Sequence, residues 1–239
     1  MTLPAEPSVA LISGFVALTL ALAAGFVWWT GRYLLAGAWL VATGLLAWSG
    51  GLAKFELPPR IMVVFVPACI GLCYLARREG WWRRPVGLLI GYQAFRIPVE
   101  LLIYQAANEG VAPPQLTWSG MNPDVWTGIT ALLLFPFAHR LPRWSLVLWN
   151  IAGVGLLLNV VTVAVLSMPT SIQRFEPDNV WIGFFPFHWL PLMGVMMAAL
   201  GHFMLFVRLR HPNDAVERSE TSRGRSAGDV VRALRRCAE

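Results

Sequence analysis

The feature that most constrains this chain is the recurrence of apolar stretches long enough to cross a lipid bilayer. A transmembrane helix needs about 20 mostly apolar residues, because the hydrocarbon core is about 30 Å thick and a helix rises about 1.5 Å per residue. Short segments with charges, glycine or proline separate the runs, which we place at 9–29, 33–52, 61–77, 85–105, 124–139, 144–167 and 185–207. This pattern predicts an all-α fold: a polytopic transmembrane bundle of seven helices.

Composition supports the same fold class. The chain is 56% hydrophobic and 13% charged, whereas soluble domains carry about 25% charged residues. The basic balance, 19 Lys+Arg against 13 Asp+Glu, would otherwise suggest a nucleic-acid partner. Most of the basic residues lie at the ends of the runs, between them and in the C-terminal tail, not in one patch. We therefore expect the lipid bilayer as the partner and no nucleic acid.

The distribution of basic residues predicts the orientation. Loops rich in Lys and Arg stay in the cytoplasm. If the N-terminus is outside, the inner segments hold fifteen of the nineteen basic residues. The outer segments hold only Lys54, Arg60 and Arg174, and Arg96 lies within a helix. This asymmetry favours an N-terminus outside and a C-terminus in the cytoplasm.

Two parts follow from these boundaries. Residues 1–208 form the predicted seven-helix transmembrane domain. Residues 209–239 form a polar, basic cytoplasmic tail in which charged residues replace apolar ones. A tail of this composition has too little apolar surface to fold by itself, so we predict that it is disordered.

Polar residues form a stripe within the fourth run, PVGLLIGYQAFRIPVELLIYQ. Gln93, Arg96 and Glu100 are spaced i, i+3 and i+7, so they fall within about 60° around a helix axis. Each charge near the bilayer centre costs about 2.5–3.5 kcal/mol even on insertion scales. The stripe should therefore face the interior of the bundle. It predicts either a functional polar pocket or an Arg96–Glu100 ion pair that only holds the helices together.

The opposite face of the same run is built for close packing. Gly87 and Gly91 form a small-xxx-small pair, which lets a partner helix approach. Pro98 lacks a backbone donor, so we expect a kink in the helix between Arg96 and Glu100.

Further candidates lie in the two long outer segments. Asn122 and Asp124 precede the fifth run, where either side chain could cap the helix N-terminus or contribute to the pocket. Four residues around the start of the last run are expected at the outer mouth: Glu176, Asp178, Asn179 and His188. The acidic excess of these segments favours a neutral or cationic ligand.

Several chemistries find no support in the sequence. The only lysine, Lys54, lies between runs, so a retinal Schiff base in the last span is excluded. His188 and His202 lie 14 residues apart, but no other run contains an interior histidine to complete a di-haem site. We find no motif for a phosphate loop, a nucleophile–base pair or a metal site. We therefore assign no cofactor and no metal.

Three stretches, FRIPVELL, TWSGMNPDVWTG and FPFHWLP, together resemble an uncharacterised family of bacterial polytopic inner-membrane proteins. The resemblance covers the fourth to seventh runs. It implies a multi-pass protein of the bacterial cytoplasmic membrane and no particular activity.

The residues point to one function with two alternatives left open. We expect a pocket, open to the outside, that binds or passes a small molecule, as in a transporter or a receptor-like binder. Gln93, Arg96 and Glu100 would supply its polar contacts. One alternative is an intramembrane enzyme acting on a lipid or isoprenoid, with Glu100 as acid/base and His188 or Asp124 assisting. The other is a structural or assembly subunit that uses the Gly87–Gly91 face.

Overall fold

The computed structural model describes residues 2–56 and 58–211, and every regular element in that part of the chain is helical. Seven helices follow the predicted runs: α1 Val9–Thr30, α2 Tyr33–Trp48, α3 Arg60–Glu79, α4 Val86–Asn108, α5 Val125–Phe137, α6 Arg143–Leu166 and α7 Leu190–Arg210. The all-helical fold class is therefore confirmed.

Five of these helices, α1, α3, α4, α6 and α7, are long and apolar enough to cross a membrane. The other two are shorter. Helix α2 has 16 residues, and α5 runs only from Val125 to Phe137. At about 1.5 Å per residue, α5 is about 20 Å long, which is less than the hydrocarbon thickness of about 30 Å.

Local signals explain where helix α1 begins and ends. The Ser8 hydroxyl accepts a hydrogen bond from the Leu11 amide at 3.1 Å, which satisfies one of the free donors of the first turn. Gly31 ends the helix with φ of 73°, a left-handed conformation that costs glycine little.

The predicted start of α7 at 185 was wrong by five residues, because the Pro186 region forms an irregular turn before Leu190.

Contacts define two ends of the bundle. At the first, which we call the Ser8 end, Glu109 after α4 accepts hydrogen bonds from the Ser8 amide at 2.8 Å and its hydroxyl at 2.7 Å. These bonds and one from Gln105 hold the pKa of Glu109 below its ordinary value. At the other, the Arg32 end, Arg32 pairs with Glu79. The start of α1 and the end of α4 therefore share one end, and the α1–α2 turn and the end of α3 share the other.

The predicted close-packing face of α4 is occupied by α5. A Cβ built on Gly87 would lie 3.1 Å from the Phe135 carbonyl oxygen, and one on Gly91 would lie 2.6 Å from the Phe135 ring. At the other end of α5, a Cβ on Gly128 would lie 3.0 Å from the Ile97 backbone nitrogen. Helix α5 therefore packs antiparallel along the first half of α4 and begins near the middle of the bundle.

Two helices depart from α geometry beside the centre of the bundle. Helix α4 tightens to a 3₁₀ turn at Tyr92–Phe95 and becomes α-helical again at Arg96. The departure from α geometry therefore comes before Arg96, whereas the stretch between Arg96 and Glu100, where a kink was expected, is continuous α-helix. Helix α7 begins with a π-helical turn, Leu190–Val195, which contains Pro191. Such wide turns insert a residue into the helix and are frequent at functional sites.

The two long segments at the Ser8 end fold into the bundle. Residues 109–124 and 167–189 bury many side chains: Val111, Ala112, Leu116, Thr117, Asn122, Met168, Asn179, Val180, Trp181, Ile182, Phe187 and His188. Gln115 joins the two segments by donating to the Ser167 hydroxyl at 3.1 Å and the Pro177 carbonyl at 2.8 Å. Non-helical backbone at membrane depth is tolerated where protein surrounds it.

The last helix passes the predicted domain boundary at 208 and ends at Arg210. The predicted disorder of the tail concerns residues beyond 211, which lie outside the described part of the chain.

Candidate functional site

A cavity of about 70 Å³ lies between α3, α4, α6, α7 and the two long segments. We call it the inner cavity. Its wall is mostly apolar, and its polar members are four: Arg96, Glu100, Asp124 and Asn179. The π-helical turn of α7 forms part of the wall through Leu190, Pro191, Gly194 and Val195. The predicted stripe on α4 therefore does face the interior.

Arg96 pairs with Asp124, not with Glu100. The Arg96 Nη1 group contacts Asp124 Oδ1, and both side chains are buried, at 2% and 7% exposed. The i,i+4 spacing predicted Glu100 as the partner, and that prediction was wrong. Helix α5 begins at Val125 against the middle of α4, so the residue before it reaches the guanidinium first. The Nε and Nη2 groups of Arg96 have no partner among the described residues.

Glu100 is held by an amide instead of a cation. Asn122 Nδ2 donates to both carboxylate oxygens, at 2.9 and 3.1 Å, and also to the Leu116 carbonyl at 3.0 Å. The Asn122 oxygen accepts from the Asp124 amide at 3.1 Å. Asn122 thus links the carboxylate on α4 to the segment that leads into α5. The prediction that Asn122 or Asp124 caps α5 was wrong, because the N-cap residue Asp124 makes no side-chain capping bond and Asn122 accepts from the Asp124 amide, which precedes the first turn.

The Asp124 side chain does not cap α5. Its Oδ1 accepts from the Thr127 hydroxyl at 3.2 Å, in addition to the Arg96 contact. The carboxylate therefore points to α4 and to its own helix's side chains. Sequence reasoning missed Thr127, although its spacing of three from Asp124 on a helix places the two on one face.

A second polar pair lies between α6 and α7. His202 Nδ1 is 2.8 Å from Asn150 Oδ1, and Asn150 Nδ2 donates to the His202 carbonyl at 3.3 Å. An amide oxygen only accepts, so Nδ1 carries the proton and Nε2 is the free acceptor. Thr127 and the His202 ring both lie beside Gly153. Asn150 thus joins α6 to α7.

Three of the predicted site residues are buried but do not belong to the wall of the inner cavity: Gln93, Asn122 and His188. Gln93 donates to the Ala198 carbonyl of α7 at 3.1 Å, so it joins two helices. His188 is fully buried beside the rings of Phe185 and Trp189, and neither of its ring nitrogens has a partner among the described residues. The expected position of His188 at an open mouth was wrong.

Glu176 and Asp178 lie on the surface of the Ser8 end and are not brought to the cavity. Both are exposed, and Asp178 accepts from Gln173 Nε2 at 2.6 Å. The neighbouring Asn179 is buried instead and enters the cavity wall. The change from exposed at Asp178 to buried at Asn179 depends on the path of the loop, which has no periodic sequence signal.

Asn179, which was expected at the outer mouth, contributes to the wall of the inner cavity instead. Its Nδ2 donates to the Ala164 carbonyl at 2.9 Å and its backbone amide donates to Ser167 at 2.7 Å. Its Oδ1 has no partner within the described residues. The π-helical turn was missed, although Pro191 and Gly194 within an apolar run were available signals.

Among the described residues, no group of three or more His, Cys, Asp or Glu side chains is arranged to hold a metal ion. The carboxylates of Glu100 and Asp124 and the ring of His202 are each engaged by separate partners.

The resemblance to a family of bacterial inner-membrane proteins stays a prediction, because comparison with known proteins does not test it. No protein-family model matches this chain, and neither a curated protein nor a solved structure matches it. The three stretches that carry the resemblance each supply buried polar residues: Arg96 and Glu100 from the first, Asn122 and Asp124 from the second, and His188 from the third.

Proposed function

We propose that this chain is a seven-helix protein of the bacterial cytoplasmic membrane that binds or passes a small molecule in the inner cavity, which opens to the outside. One observation carries the proposal: the mostly apolar wall of this cavity contains Arg96, Glu100 and Asp124, all of them buried. Charges at this depth are costly and are characteristic of ligand and ion pathways.

The proposed topology is supported by the contacts at the two ends of the bundle. Ser8 meets Glu109, and Arg32 meets Glu79, which is the alternation that successive crossings produce. The basic residues concentrate at the Arg32 end, as expected of a cytoplasmic face. Reporter fusions after Arg78, Glu109 and Arg174 should report inside, outside and outside. An inside signal after Glu109 would contradict the topology.

A lipid-directed enzyme remains a second candidate because of one observation. A groove of about 420 Å³ between α6 and α7 contains His202 and Asn150, and Leu157 forms part of both this groove and the inner cavity. A ligand dissolved in the bilayer would have a lateral route along Leu157 to Glu100. Against catalysis, both oxygens of Glu100 are bound by Asn122, and His188 is not on the wall.

The role of a structural subunit through the Gly87–Gly91 face is less well supported. Phe135 of the same chain packs against both glycines. A second chain would need to displace α5 to use this face.

The experiment is to purify the full chain from its native membrane into lipid nanodiscs and identify bound small molecules by native mass spectrometry. Gly194→Leu adds a side chain to the cavity wall, where a Cβ meets only Leu190 at 3.7 Å. We expect a molecule bound to the wild type and lost from Gly194→Leu.

Gly37→Leu is the matched control, because a Cβ at Gly37 on α2 meets nothing within 4 Å. It should retain the bound molecule. Retention by both variants would place the ligand outside the inner cavity, and no bound molecule in any sample would remove support for a binder. A lipid precursor that accumulates in a deletion strain would favour the enzyme.

A further inference from the structure

The charged groups of the inner cavity leave one negative charge without a counter-ion. Arg96 and Asp124 form a pair of opposite charges. Glu100 receives only the amide of Asn122. Helices α3, α6 and α7 contribute no ionisable residue to the wall. An ionised Glu100 thus gives the cavity a net charge of −1, and a buried charge of this kind needs either a proton or a cation.

A second observation concerns Asn179. Its Nδ2 donates to the Ala164 carbonyl at 2.9 Å, and a carbonyl only accepts. The amide must therefore present its oxygen on the other side. Asn179 is fully buried, belongs to the wall, and this oxygen has no partner among the described residues. Glu100 and Asn179 are both acceptors, so they complement a ligand that donates hydrogen bonds.

The rest of the cavity wall indicates the size of the ligand and the character of the part that does not donate hydrogen bonds. It is apolar and includes the rings of Phe65 and Phe95, and aromatic faces attract cations. A volume of about 70 Å³ corresponds to the space of a few water molecules. The ligand must therefore be small, with a donor head and a short apolar body.

We infer that the inner cavity binds a small protonated amine with a short apolar body, and that this cation competes with a proton on Glu100. The inference rests on the proposed function and names its ligand class. The ammonium group donates to Glu100 and Asn179, and the alkyl part lies against the apolar wall. When the amine enters a site with protonated Glu100, the carboxyl proton leaves to water, so the site remains neutral before and after binding.

Three groups near Glu100 act on this exchange. Arg96, on the same helix as Glu100, disfavours a cation, and Asp124 at the start of α5 offsets it as its ion-pair partner. Asn122 stabilises the ionised carboxylate of Glu100. The exchange therefore depends on Glu100 itself, because Asp124 keeps its partner with or without the amine.

The test uses the full chain in nanodiscs and three matched probes: n-butylammonium, 1-butanol and butyrate. Binding is followed by isothermal titration at pH 8 and pH 5, with proton release measured in weak buffer. We expect butylammonium to bind at pH 8, to weaken by about tenfold per pH unit once Glu100 is protonated, and to release about one proton at acidic pH. Butanol and butyrate should bind at least about tenfold more weakly than butylammonium at pH 8.

Variants test whether Glu100 is responsible for the pH-dependent binding of butylammonium. Glu100→Gln should lose butylammonium binding and its pH dependence, whereas Glu100→Asp should keep both. Glu56→Gln removes an exposed carboxylate at the Ser8 end and should bind as the wild type does. If Glu100→Gln does not fold, proton release by the wild type still decides the question.

The outcomes separate this inference from the proposed function. Binding of butanol or butyrate in preference to butylammonium would overturn the inference and keep a binding cavity; butyrate would then use the free Nε and Nη2 groups of Arg96. Amine binding without proton release, or unchanged in Glu100→Gln, would also overturn it. If none of the three probes binds and no molecule co-purifies, the proposed function itself fails.

Discussion

The two ion pairs in the described part of the chain, Arg32–Glu79 and Arg96–Asp124, differ mainly in their surroundings. The first joins the α1–α2 turn to the end of α3, and its side chains are 49% and 23% exposed. The second lies in the middle of the bundle at 2% and 7%. Water screens the first pair and allows either residue to stand alone. The buried pair offers no such alternative, because each charge depends on its partner.

The Arg32 end and the centre of the bundle also differ in how strictly they determine which side chains can occupy them. At the Arg32 end, further arginines lie over aromatic rings: Arg84 is 5.6 Å from the Trp29 ring and Arg83 is 5.2 Å from the Trp82 ring. Such contacts suit many basic side chains near a membrane surface. At the centre, one asparagine, Asn122, supports Glu100 and the start of α5 together. The centre is therefore the region where single substitutions should matter most.

The largest expected effect comes from breaking the buried pair. Asp124→Asn should lower the free energy of unfolding by about 3–5 kcal/mol, because it leaves Arg96 buried without a counter-charge. Reversible unfolding in mixed micelles measures the change. The double variant Arg96→Gln with Asp124→Asn should cost less than the sum of the two singles. If Asp124→Asn lowered the free energy of unfolding as little as the loss of one partner of an exposed pair does, the contrast between the two ion pairs would be wrong.

An intermediate effect is expected where the backbone of α6 passes His202. A Cβ on Gly153 would collide with the His202 ring, whereas one on Gly155 meets nothing within 4 Å. Gly153→Ala should therefore destabilise by about 1–3 kcal/mol through overpacking and disturb the Asn150–His202 bond. Gly155→Ala, two residues away on the same helix, should stay within about 0.5 kcal/mol of the wild type. Equal values for the two variants would show that the centre adapts as easily as the surface.

The smallest effect is expected at the Arg32 end. Glu79→Gln should change the free energy of unfolding by less than about 1 kcal/mol. Raising the salt concentration should reduce even this difference, because exposed charges are screened over about 10 Å or less. Measurements at low and high salt in the same micelles check both points. A loss of several kcal/mol, independent of salt, would mean that this pair is as constrained as the central one.

The sequence alone determined most of the helix starts and the inward orientation of the charged residues on α4. Six of the seven helix starts lie within one residue of the predicted runs, because a chain in lipid must satisfy its backbone groups within each helix. The same cost of exposing polar groups required Arg96 and Glu100 to face inward, and both are 2% exposed. The spacing of these residues around the α4 axis was enough for that prediction, because the angle between two side chains on one helix depends only on their separation in the sequence.

The tertiary structure alone decided which groups meet. Arg96 pairs with a residue 28 positions away, although a carboxylate lies four positions along its own helix, because the short α5 begins at the depth of Arg96. Asn179 enters the wall while Asp178 beside it stays in water. These outcomes depend on the paths of residues 109–124 and 167–189 into the bundle. Such paths follow from packing between distant elements, for which the sequence has no periodic signal.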